Sequence, residues 1–269
     1  MSTAECSQIE MGQMLKIGII IPARMASERL PGKPLLNVLG LPMIEHVRRR
    51  ALLSSLSKNV IVCSGDQEIL ATITGYGGTA VQTFREHLNG LSRVAEVARQ
   101  LDLSHVIVLQ GDEILILPED LNALSASILS KPEIDFWNGV SPLDTLEELE
   151  NTSIVKCTQR ADQTIQTIFR KSPMTTAIQT QMLLIKKING LFAISAKFLE
   201  MLVSHPMTPI EGAESVEQMR VLELSMDIAT FDMKKNYPSI NLPADVPKVL
   251  HALTKDPVQT RILNQIMNM

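Results

Sequence analysis

A chain of 269 residues, 45% of them hydrophobic, can bury one substantial core, as a single α/β domain with an excursion or as two domains. Its 25 basic and 29 acidic side chains give a net charge of −4, which excludes the overall positive field of a nucleic-acid binder or of a protein held on anionic membrane. No run approaches the roughly 20 apolar residues that span a bilayer, and the start MSTAECSQIEMGQMLK lacks the basic and apolar regions of a secretory leader, so a cytoplasmic protein is expected.

Residues 1–15 mix polar and apolar side chains without a period and read as a flexible N-terminal extension. Residues 16–269 read as one domain. KIGIII, NVIVCS, TAVQT and HVIVLQ are short apolar or β-branched runs of strand type, separated by the amphipathic stretches PMIEHVRRRALLSSL, DQEILATITGYG and SRVAEVARQLDL. Strands alternating with helices predict βαβ units and a doubly wound, mostly parallel α/β sheet covered on both faces. Over 134–195 the pattern changes to DFWNGVSPL, TSIVKCTQ, QTIQTIF and INGLFAIS, mixed strands suited to a substrate wall or a subunit contact. AKFLEMLVS and GAESVEQMRVLELS then read as helix, MDIATFDM as strand, and the chain from Pro243 as helix.

Cys6, Cys63 and Cys157 are odd in number and far apart, which suits reduced thiols, and Cys63 lies inside an apolar strand. The five histidines have no metal-pair spacing, which argues against zinc.

In doubly wound sheets ligands gather where strands end and helix N-termini expose N–H groups. Arg24, Ser27, Arg29 and Lys33 occupy the loop RMASERLPGK after the first strand. Guanidinium forks and an ammonium there suit a polyphosphate; the plain alternative is a solvated charged turn. The loop is not a Walker motif, which needs glycine at Ser27 and Ser or Thr at Pro34. QGDE places Asp112 and Glu113 after HVIVLQ, either as a carboxylate site for Mg²⁺ or as a cap or turn. In REHLNGLSRVAEV, Asn89 or Ser92 either caps the next helix or meets a ligand, whereas Arg93 is not explained by capping. Glu211, Glu214 and Glu217, three apart before Arg220, read as a solvated helix face with local ion pairs.

Taken in order, IIIPARMASERLPGKPL, PMIEHV, HLNGLSRVAEV, QGDE and TPIEGAESVEQMRVL closely resemble the 3-deoxy-manno-octulosonate (Kdo) cytidylyltransferases, from about residue 16 to residue 254. The resemblance implies a three-layer α/β/α fold of the nucleotide-diphospho-sugar transferase type, a homodimer, and Mg²⁺-dependent transfer of CMP from CTP to an acidic 3-deoxy-2-keto sugar that feeds lipopolysaccharide assembly. It places Arg24, Ser27, Arg29 and Lys33 on the triphosphate loop and makes Asp112 a metal ligand, with Arg24, Lys33 and Asp112 as the catalytic set. It sets Gln110 beside the nucleotide, and Arg93 and Gln218 near the sugar or nucleotide; Asn89, at a substituted motif position, is taken as a substrate- or nucleotide-binding candidate on its own residue type.

The departures lie on the sugar and metal side. INLPAD puts Asn241 where the family has a second metal-binding aspartate, so the metal ligands become Asp112 and Asn241. The family's Ser-Gly-Thr-Asp-Arg becomes NGLSR, His-Ile-Gly-Ile-Tyr-Ala-Tyr becomes INGLFAI, Thr-Asp-Asp becomes SGD, and Ile114 follows QGDE in place of proline. Two explanations compete with Kdo as the default substrate: an altered acidic sugar, or a paralogue that binds nucleotide or a partner protein with little turnover.

Overall fold

The computed structural model describes residues 15–27, 29–84, 87 and 90–269. Nearly all of the expected N-terminal extension, with Cys6, therefore lies outside the described residues, as does Asn89.

The first half runs β1 (Ile17–Pro22), a small hairpin of β2 (Asn37–Val38) and β3 (Leu41–Pro42), α1 (Met43–Leu52), β4 (Val60–Ser64), α2 (Gln67–Gly75), β5 (Thr79–Gln82), α3 (Gly90–Leu101), β6 (His105–Leu109) and α4 (Pro118–Ser130). There follow β7 (Phe136–Pro142), α5 (Leu146–Glu150), β8 (Lys156–Gln159), β9 (Ile165–Phe169), α6 (Ile178–Leu184), β10 (Ile185–Ser195), α7 (Ala196–Ser204), α8 (Pro209–Glu214), α9 (Gln218–Glu223), β11 (Ala229–Asp232), α10 (Val246–Lys255) and α11 (Pro257–Met267).

Strand periodicity explains the layering. In β1, Ile17, Ile19 and Ile21 join one apolar cluster with Met43, Ile44 and Val47 of α1 and Leu121 and Leu124 of α4. Ile20 points the other way, into a second cluster with Val94 and Val97 of α3 and Leu199 and Leu202 of α7. A strand apolar on both faces needs helices on both, and each isoleucine so buried contributes about 1.5–3 kcal/mol.

Among the described residues the main sheet has nine strands, in the order β11-β7-β10-β6-β1-β4-β5, with β8 and β9 added beside β10. β6, β1, β4 and β5 are parallel, as are β7 and β11, while β10 runs antiparallel to both of its neighbours. This is the mixed, mostly parallel sheet the sequence predicts. Its register puts the ends of β1, β4, β6 and β7 on one rim, where β10 begins. There β10 carries an irregularity between Ile188 and Phe192, where its pairing with β7 shifts.

Two local readings need correction. The stretch GAESVEQMRVLELS is not one helix: Ser215 adopts a left-handed φ of 53° between α8 and α9. Nor is its acidic run a solvated face. Glu211 and Arg220 are both buried, joined by two bonds of 2.6 and 2.7 Å, and Arg220 Nη1 also donates to the Leu202 carbonyl at 2.6 Å. The acid turns inward because Arg220 meets it there and because it completes a capping box with Thr208. The C-terminal helix likewise divides, with Asp256 capping the second half through the Val258 N–H at 2.8 Å.

Cys63 and Cys157 are buried, and burial pushes both thiols up to about 12. No helix among the described residues is long and apolar enough to cross a membrane.

Arg220→Ala is expected to cost about 3–5 kcal/mol in urea unfolding, because Glu211 remains buried without its partner. Substituting Glu211 as well should return part of that loss; strictly additive costs would refute the coupling.

Candidate functional site

The loop after β1 is held by hydrogen bonds within the chain. The Ala23 N–H continues the ladder to the Cys63 carbonyl at 3.0 Å, and the Met25 N–H donates to Asp66 Oδ2 at 2.8 Å. Asp66, in the SGD segment before α2, makes no cap bond to its own helix and spends its carboxylate on this loop. Gly32, at φ 72°, reverses the chain and starts the short turn Lys33–Leu35.

That turn delivers Lys33 to the loop after β6. Lys33 Nζ lies 2.7 Å from Asp112 Oδ2, with the two side chains only 15% and 16% exposed. Beside this pair, Arg29 Nη2 donates to Asn241 Oδ1 at 3.2 Å. Asn241 is itself held, its backbone N–H on Asp245 Oδ2 at 2.9 Å and its Nδ2 on Ser239 Oγ at 3.0 Å. The Ile240 N–H bonds the Asp112 carbonyl at 3.3 Å, so the segment carrying Asn241 is bound directly to QGDE. Lys33, Arg29, Asp112 and Asn241 thus share one site, with Arg24, exposed, and Ser27, half-buried, on the same loop.

QGDE is fixed from the opposite side by β10. The Gln110 N–H donates to the Gly190 carbonyl at 2.8 Å, and the Gly190 N–H donates to Glu113 Oε1 at 2.8 Å. A Cβ on Gly190 would stand 2.7 Å from that Glu113 oxygen and 2.9 Å from Gln110 Cβ, so only glycine permits the approach. Burial, then the neighbouring Asp112, pushes the Glu113 carboxyl above the ordinary range, and Lys187 partly counters them. Lys187 is buried, with its Nζ on Asn236 Oδ1 at 2.9 Å and on the Tyr237 carbonyl at 3.0 Å. Next to the β10 irregularity, Gln218 Nε2 donates to Asn138 Oδ1 at 2.9 Å.

The cap of α3 comes from far along the chain. Glu217 Oε1 accepts the Gly90 N–H at 2.7 Å and the Leu91 N–H at 3.3 Å. Ser92 instead meets His87 Nδ1 at 3.1 Å, and the other ring nitrogen lies 2.8 Å from Glu96 Oε2. Arg93 is buried, and its Nη1 donates to Thr83 Oγ1 and to the Phe84 carbonyl, holding the exit from β5.

Sequence reasoning missed Asp66, Asn138 and Lys187 as site builders. It noticed Glu217 only as part of a charge run. Asp66 carries a signal in hindsight, an acid at the end of a buried strand like Asp112.

No three His, Cys, Asp or Glu side chains converge as a metal cage among the described residues. Asp112 and Asn241 offer one carboxylate and one amide oxygen. Both are hard donors suited to a divalent cation whose remaining positions are filled by phosphate or water.

A family model described as cytidylyltransferase matches residues 18–228. The 3-deoxy-manno-octulosonate cytidylyltransferase of Geobacter metallireducens is 32% identical over 253 residues, covering 90% of this chain and 99% of that protein. The enzyme of that name from Rhodopseudomonas palustris is 36% identical over 244 residues, covering 87% and 96%. Among solved structures, CMP:2-keto-3-deoxy-manno-octonic acid synthetase complexed with CTP superimposes with a TM-score of 0.82 at 31% identity, covering 90% of this chain and 99% of that one.

Burial holds the Glu217 carboxyl above the ordinary glutamate range, against the pull of its two N–H donors. The folded chain therefore keeps this proton to higher pH than the unfolded chain does, so this group lowers stability as pH rises past about 4.3. Glu217→Gln keeps the accepting oxygen without the charge; it should match the parent near pH 4 and exceed it at pH 8 in urea unfolding. Glu217→Ala, lacking the cap, should be about 1 kcal/mol less stable than the glutamine variant.

Proposed function

This chain belongs to the cytidylyltransferase family, among the 3-deoxy-manno-octulosonate cytidylyltransferases, and we infer that it transfers CMP from CTP to an acidic 3-deoxy-2-keto sugar, with Kdo as the default acceptor. The observation that carries this reading is the 2.7 Å contact between Lys33 and Asp112, which joins a cationic loop to a carboxylate across the rim of the sheet. The anomeric hydroxyl of the sugar attacks the α-phosphorus of CTP and gives up its proton to solvent, the bond from the α-phosphorus to the oxygen bridging to the β-phosphate breaks, and pyrophosphate leaves with that oxygen. Little covalent chemistry falls to the protein in such a transfer, so its work is positioning and charge neutralisation.

Arg24, Arg29 and Lys33 take the triphosphate and offset the charge that builds on the leaving pyrophosphate. To do so Lys33 exchanges Asp112 for a phosphate oxygen, which frees the carboxylate. Asp112, with the Asn241 amide oxygen, would hold Mg²⁺; when bound, the ion neutralises phosphate charge. An amide brings no negative charge, so affinity is lower than an aspartate at 241 would give. Gln110, the first residue of QGDE, faces the nucleotide, and Gln218, on the β7–β10 side, faces the sugar. The binding-only alternative has no observation in its favour beyond Asn241.

The reading includes a cytoplasmic homodimer whose product feeds lipopolysaccharide assembly. α6 supports a subunit contact: Ile178, Leu183 and Leu184 stand exposed on it, inside the segment 134–195. Buried, unpaired Cys63 and Cys157 suit a reducing compartment.

Pyrophosphate release from CTP plus Kdo, measured at several Mg²⁺ concentrations, tests the activity. Lys33→Ala should lower kcat/KM by about 10²–10³, and Asn241→Asp should lower the Mg²⁺ concentration needed for half-maximal rate. No release with any acidic sugar at saturating CTP and Mg²⁺ overturns the reading. Light scattering should report a dimer, and Leu183→Glu should shift it towards monomer; a parent chain that is monomeric at working concentration removes the dimer.

A further inference from the structure

Asn138 is completely buried in β7. Its Nδ2 donates to two backbone carbonyls, Gly139 at 2.9 Å and Asn189 at 3.2 Å. The second of these is left free of the ladder where β10 departs from regular pairing with β7. Only the nitrogen end of an amide can serve two carbonyl oxygens, so the orientation of Asn138 is forced and its Oδ1 must face Gln218. That oxygen accepts only from a donor, so Gln218 must present Nε2, as it does at 2.9 Å.

A glutamine on an open rim turns its amide over freely and offers either end to a ligand. Gln218 does not have this freedom, because turning it over would set its oxygen against the buried oxygen of Asn138. Its Oε1 receives no donor from any described residue, and the side chain is half-buried at the rim. The cationic loop occupies the β1 side of that rim. Sheet order puts β10 and β7 beyond β6, on the side left for the acceptor sugar.

The geometry points to Asn138 as a positioning residue that fixes the polarity of Gln218, so that its amide oxygen is offered to a hydrogen-bond donor on the acceptor sugar. A sugar hydroxyl or ammonium satisfies that oxygen; an ether oxygen at the same place does not. This inference rests on the reading of the site as a cytidylyltransferase for an acidic sugar.

The test is steady-state kinetics on the full chain, with CTP and Kdo varied separately and Kdo compared with its mono-O-methyl ethers. Asn138→Ala and Gln218→Ala should each raise the KM for Kdo about tenfold and leave the KM for CTP unchanged. The double variant should be no worse than Gln218→Ala alone. One mono-O-methyl ether should be rejected by the parent about tenfold more strongly than by Asn138→Ala. Gln218→Glu leaves the core intact and cannot donate to Asn138; it should be as impaired as Gln218→Ala, which keeps the question answerable if Asn138→Ala fails to fold. A parent chain that turns over Kdo, with additive Asn138 and Gln218 effects or equal rises in both KM values, overturns the inference alone. A parent chain that binds CTP but releases no pyrophosphate with any acidic sugar overturns the reading beneath it, and the inference falls with it.

Discussion

The ion pair between Lys33 and Asp112 is the contact on which the arrangement of the site depends. Its partners come from loops that leave two neighbouring parallel strands. With both side chains largely withdrawn from water, their attraction is screened far less than that of a surface pair. The partly buried charges are tolerable only because each supplies the other's counter-charge. Arg29 and Asn241 repeat the pattern one step outward, where a neutral amide is sufficient to receive an exposed guanidinium.

The second constraint is the irregularity within β10, between Ile188 and Phe192. A regular strand would use the peptide groups of Asn189 and Gly190 in its ladders. Here they are released and taken by Gln110, Glu113 and Asn138. β10, running against both of its neighbours in a mostly parallel sheet, thereby supplies hydrogen-bonding groups at the rim where those neighbours end. The absence of a side chain at Gly190 is what lets QGDE close against it. The mixed topology is therefore part of how the site is made.

Much of this was legible in the chain. The isoleucines of KIGIII show both faces buried, and short runs alternating with amphipathic stretches give the doubly wound order. Arg29, Lys33, Asp112 and Asn241 emerge from motif order, and the structure brings these four together. What could not be read locally depends on distance along the chain. Glu217 caps a helix that begins at Gly90, and Glu211 turns inward to meet Arg220, so a period-three run of acids looked solvated when two of its members have buried work. Arg93 looked out of place at a helix start because its partners, Thr83 and Phe84, precede the helix. Asn138 gave no signal, since a polar residue in an apolar strand reveals its role only when its three partners are placed.

Glu217 and Gln218 are consecutive residues committed to opposite errands, the first to the opening turn of α3 and the second to the floor formed by β7. The single peptide unit between them thereby anchors the start of α9 both to the opening turn of α3 and to β7.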